Sequence, residues 1–94
     1  MINAKEANLN TKTAIEKFAK EFIWNECGSK IQSAIDVGLF YTTVSLSKVE
    51  NPQHVGPVVI ELLKKEYGYD AKYFCSENNY DDTGYISIDW SNVK

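Results

Sequence analysis

Residues 12–37 read KTAIEKFAKEFIWNECGSKIQSAIDV, and this stretch decides the fold. Ile15, Phe18, Ala19, Phe22, Ile23, Cys27, Ile31, Ala34 and Ile35 recur at spacings of three and four. That is the stripe of an amphipathic helix. Lys12, Glu16, Lys17, Lys20 and Glu21 decorate the other face, with Glu16/Lys20 and Lys17/Glu21 as i,i+4 pairs. At about 1.5 Å per residue the helix is ~39 Å long. A chain of 94 residues packs to a radius of gyration near ~12 Å. Such a helix overhangs its own core. Either Gly28-Ser29 kinks it, or the overhang packs on another subunit, and the two are compatible. Phe22 and Trp24 widen the apolar stripe, so Phe18, Phe22 and Trp24 are the expected residues of a homo-oligomer interface.

Upstream, Asn3 precedes Glu6 by three residues, a variant of the capping box, and predicts a separate short helix over 4–9. Asn10, Thr11 and Thr13 then offer a second set of caps. Downstream, Gly38 ends the long helix. Residues 41–47 alternate and are rich in β-branched side chains, which predicts a strand. A polar connection over 48–56, in which Asn51-Pro52 offers the cap of a first turn, leads to a helix proper with Pro57 in its first turn and Gly68 closing it. Residues 69–76 alternate again, residues 77–84 are turn-rich, and residues 85–90 place Ile86, Ile88 and Trp90 on one face. The last two strands form a hairpin. The order is short helix, long helix, strand, helix, C-terminal β-hairpin: one α+β domain over 1–94, with helices on one face of a small sheet.

Composition excludes several functions. Hydrophobic residues make up 44% and charged residues 24%, which argues for a folded chain rather than a disordered one. No apolar run approaches the roughly 20 residues of a membrane span. Residues 1–68 carry balanced charge, and the net −3 arises wholly in 69–94. All ten basic residues are Lys, so the bidentate fork that reads guanine edges is missing, and no basic patch marks a DNA surface. DNA and membrane are therefore not expected partners.

Catalytic patterns are not expected either. His54 is the only histidine and lies in the connection before the second large helix, where a lone His is most often solvated. Cys27 and Cys75 form no metal-ligand or redox spacing and read as small buried side chains. The acidic loop Glu77, Asn78, Asn79, Asp81, Asp82 does not match the spacing of a calcium loop and reads as a solvated turn. No cofactor or metal is implied, and the chain reads as a non-enzyme.

Two binding surfaces remain. Backbone N–H groups at Val55, Gly56 and Val58, with His54 and Lys48 near in sequence, suit an anion at the start of the second large helix. Tyr41, Tyr69, Phe74, Tyr80 and Tyr85 include several residues that alternation turns away from the helices. Soluble sheets usually present polar residues there. Such aromatics are scattered surface residues, a protein interface or a base-stacking face. His54, Gly56, Lys48, Tyr41, Phe74 and Tyr85 are the candidate ligand-binding set.

Met1-Ile-Asn-Ala-Lys-Glu-Ala7 ahead of a long Lys/Glu helix, Leu62-Leu63-Lys-Lys-Glu-Tyr-Gly-Tyr69, and Tyr85-Ile-Ser-Ile-Asp-Trp90 resemble small tailed-bacteriophage proteins. The likeness rests on caps, a glycine turn and an alternating strand, and departs from the common form over 48–57. It implies a phage protein acting in the host cytoplasm and implies no catalytic residues. Phage proteins of this size that neutralise bacterial defence often form compact homo-oligomers that sequester a nucleotide-like signal or block a host protein. The alternative is a virion or assembly component that packs against other phage proteins.

Overall fold

The computed structural model describes residues 1–47, 49, 51–74 and 84–92. Lys48, Cys75, Ser76, Tyr80 and the acidic loop lie outside the described residues. One helix runs without interruption over 4–36: α1 (Ala4–Phe22), a π-helical segment (Ile23–Cys27) and α2 (Gly28–Asp36). Strand β1 (Tyr41–Ser45), helix α3 (Pro52–Lys65) and strands β2 (Asp70–Phe74) and β3 (Tyr85–Asp89) follow. The α+β class holds.

Asn3 caps α1 as expected, its Oδ1 accepting from the Glu6 N–H at 2.9 Å. The expected break between a short and a long helix does not occur. The Thr13 hydroxyl instead donates to the Leu9 carbonyl one turn back, at 3.1 Å. Thr caps a helix only when the chain leaves helical geometry, and good helix formers on both sides of it keep the chain helical. At about 1.5 Å per residue the continuous helix is ~50 Å long. It accounts for the longest dimension, 52 Å, and for a radius of gyration of 14.6 Å.

The π segment explains how one helix stays on its core. The Gly28 N–H donates to the carbonyl of Ile23, five residues back. A π turn absorbs one extra residue and so turns everything after it by about 100° relative to an α-helix. Ala19, Phe22 and Ile23 precede it on the core, and Cys27, Ile31 and Ala34 follow on the same core. In an unbroken α-helix the second set would sit about 90° round from the first. The irregularity expected at Gly28 is therefore a rephasing turn that ends there.

Gly38 closes the helix at φ 81°. Its N–H donates to the Ile35 carbonyl at 3.0 Å, and the Leu39 N–H to the Ala34 carbonyl at 2.9 Å. This pair is a Schellman closure, which requires a left-handed residue that glycine supplies at least cost.

Helix α3 starts five residues before the expected Pro57. Pro52 takes the first helical position, where its fixed φ fits and no N–H is needed. Pro57 lies inside the helix on its exposed side. Val55, Gly56, Val59 and Leu63 form the buried stripe. Gly56 has a specific role: a Cβ there would meet Cδ2 and Cε2 of Tyr73 at 2.8 Å, so α3 lies against β2 through bare backbone.

The sheet order is β1-β3-β2, both pairs antiparallel. The expected hairpin pairs β2 with β3, and β1 pairs on the other side of β3. Ile88 lies opposite Thr42 and Ala71, and Ile86 opposite Val44 and Tyr73. Ile86 and Ile88 are fully buried and join Val44, Ala71, Val59, Leu63 and the helix stripe in one cluster. Tyr41, Thr43, Ser45, Lys72, Phe74 and Tyr85 are exposed on the opposite face.

Deletion of the exposed Asn25 removes the extra residue and restores an α turn. The unbroken α-helix then keeps Cys27, Ile31 and Ala34 in phase with Ala19, Phe22 and Ile23, so the deletion is expected to cost less than about 1 kcal/mol, whereas insertion of an Ala after Asn25 is expected to rotate them about 100° off the core and to cost more than about 3 kcal/mol, by the scale of lost apolar burial. Urea unfolding measures both, and a deletion that costs as much as the insertion would contradict the rephasing role.

Candidate functional site

The anion site expected before α3 loses its donors to the helix itself. His54 and Val55 both donate their N–H groups to the Asn51 carbonyl, at 3.1 and 2.9 Å. Gly56 lies in the second turn of α3, buried under the Tyr73 ring. Starting the helix at Pro52 turns the N–H groups read as free into interior ones. Lys48 lies outside the described residues.

His54 is exposed and borders a polar groove between α1 and α3 with Lys12, Glu16, Glu61 and Lys65. The Lys65 ammonium donates to the Glu61 carboxylate at 2.6 Å, and Lys20 lies 3.4 Å from Glu16. The Lys65 hydrogen bond, and then its charge, holds the Glu61 carboxyl below its ordinary value. These exposed i,i+4 pairs are the helix-surface kind, worth little each.

The aromatic set divides between two faces. Phe74 and Tyr85 are cross-strand neighbours and stack on one another, ring centroids 5.0 Å apart and 17° from parallel. Tyr41 shares their face but lies opposite Asp89. That is four residues away from Tyr85, about 13 Å along the strand. Tyr69 is half-buried and meets Trp90 edge-on at 6.0 Å. His54 and Gly56 belong to the helix layer on the other side of the sheet. The six candidate ligand residues therefore form no single site among the described residues.

The long helix carries exposed apolar side chains. Phe22 belongs to the chain's own core, 7% exposed, whereas Phe18 is 43% and Trp24 79% exposed. Two open apolar grooves flank the helix. One, of about 530 Å³, lies between α1 and the start of α3 and is lined by Thr11, Ala14, Phe18, Val49 and Val55. The other, of about 410 Å³, lies between α2 and α3 and is lined by Trp24, Ile31, Ile35, Leu63 and Tyr67. Sequence reasoning assigned Ile35 to the core stripe and gave Tyr67 no role. The drift of a 4-4-4 spacing through Ile23, Cys27, Ile31 and Ile35 was the available signal that Ile35 turns outward.

Among the described residues no group of three or more His, Cys, Asp or Glu side chains is arranged to hold a metal ion. Among them, too, no helix is long and apolar enough to cross a membrane. No family model matches the chain, and comparisons with curated proteins and with solved structures return no match.

Cys27, the last residue of the π segment, is fully buried. Burial, and secondarily the Glu26 charge, pushes its thiol up to about 12 from 9.0. The thiolate is the reactive form. In a Cys75→Ser background, a thiol reagent at pH 8 is expected to label the native protein about 100-fold more slowly than the unfolded chain. Equal rates would show that Cys27 is not held in the core.

Proposed function

We propose that this chain is a non-enzymatic protein-binding module that works as a homo-oligomer. The observation that carries the reading is the long helix itself. It serves the core over one part of its length and leaves a projecting, groove-flanked apolar face over the rest. Contiguous apolar surface of this kind is characteristic of protein–protein contact. The small-anion and nucleotide version of the reading has weaker support. The helix-start N–H groups are engaged, and the outward aromatics Phe74 and Tyr85 stack on each other.

In the phage setting that the sequence resembles, the partner is a host protein, the consequence is its blockade, and the place of action is the host cytoplasm. Phe18 and Trp24 take the interface role, and Phe22 a structural one.

Native mass spectrometry of the purified protein is expected to show a discrete oligomer with no added mass. The double variant Phe18→Glu/Trp24→Glu is expected to shift it to monomer with its circular dichroism unchanged. A monomeric wild type would overturn the reading. An oligomer carrying a few hundred daltons would restore the small-ligand version, and recovery of the chain in purified particles would favour a virion component.

A further inference from the structure

Within α1, residues 4–14 are all exposed, and side chains become fully buried only from Ala19. About 16 Å of helix therefore projects past the core it serves. An isolated helix of that length is marginal in water. Along the projection, Ala4, Ala7, Thr11, Ala14 and Phe18 follow one another at spacings of three, four, three and four. This is the repeat of a coiled-coil seam. The seam lies about 90° round the helix from the core-facing residues. Its side is continued by the apolar groove of about 530 Å³ whose far wall is Val49 and Val55. The face is thus a helix-wide furrow with one large side chain, Phe18, at one end and small side chains at the other.

Resting on the self-association reading above, we propose that a second copy of this chain lies antiparallel in this furrow. The two-fold axis passes level with Lys12 and Thr13, so that Phe18 packs over the partner's Ala7 and Thr11 meets the partner's Ala14. Size and charge both select this arrangement. A parallel pair would stack Phe18 on Phe18 and Ala7 on Ala7, overfilling one end and leaving the other empty. It would also set Glu21, the next position of the seam, against Glu21. The antiparallel pair matches large with small at both ends. It brings Glu21 beside the partner's Ala4, in the first turn of that helix, where unpaired N–H groups carry partial positive charge. It brings Lys17 to the same flank as the partner's Glu6, about 3 Å apart in level. The Val49 and Val55 wall adds area that a bare helix pair lacks, as a stable dimer of roughly 1,200 Å² or more requires.

Cysteine cross-linking in a Cys75→Ser background tests the register. Ala7→Cys and Phe18→Cys chains are prepared separately, refolded together and oxidised. The mixture is expected to give a disulfide dimer joining one chain of each kind. Each chain alone is expected to give at least about tenfold less, because the two copies of position 7 lie ~16 Å apart, beyond disulfide reach. Efficient Ala7→Cys self-linking would show a parallel pair and overturn the proposal. A dimer by native mass with no link in the mixture would overturn the seam and leave self-association standing. A monomer by native mass would remove both. Ala14→Lys, at an exposed position mid-seam, is expected to raise the dimer dissociation constant at least about tenfold with circular dichroism unchanged. An unaltered constant would also overturn the seam.

Discussion

The bond from the Gly28 N–H to the Ile23 carbonyl decides what the long helix can do. A straight α-helix cannot keep apolar residues spaced 19, 22, 23, 27, 31 and 34 on one side, because repeated steps of four drift round the axis. The π turn takes up the drift in one place. Both halves of the helix then bury against the same layer, α3 on one side and the strand face of Val44, Ala71, Ile86 and Ile88 below. Gly28 suits the position just after the turn, in helical geometry at φ −58°. Helix propensity is spent there to hold the core in register.

The same constraint leaves the N-terminal part of α1 without a place in the core. Only one layer of helices covers the sheet, and α3 is too short to follow α1 to its start. Surface at this projection and in the grooves beside it is apolar enough to be a contact surface and too open to be an enclosed ligand cavity. The outward sheet face behaves differently. Its two neighbouring aromatics, Phe74 and Tyr85, satisfy one another by stacking, and β3 beyond Tyr85 carries Ser87 and Asp89 on that face. The proposed contact surface therefore lies on the helix rather than on the sheet.

Much of the fold was legible where one residue type has one mechanical use. Asn3 as a cap, Gly38 as a left-handed closure and the alternation of Ile86 and Ile88 all follow from local chemistry. Reading failed where local signals compete. Asn10, Thr11 and Thr13 resemble caps, yet a hydroxyl bonded one turn back lets Thr13 remain helical. Pro57 resembles a helix start, yet Pro52 holds that position and Pro57 is tolerated on the exposed side. That five-residue error moved the N–H groups of Val55 and Gly56 from a ligand site to a helix interior. Phe18 and Phe22 are equivalent on a stripe of threes and fours. Only the position of α3 makes Phe22 core and leaves Phe18 outside.

The account rests on the projecting part of α1 being ordered by a second copy of the chain. Amide hydrogen exchange as a function of protein concentration measures this directly. The account predicts that amides of residues 7–14 are protected at high concentration and lose that protection on dilution, while those of 19–34 stay protected throughout. Protection of residues 7–14 that does not change with concentration would contradict it.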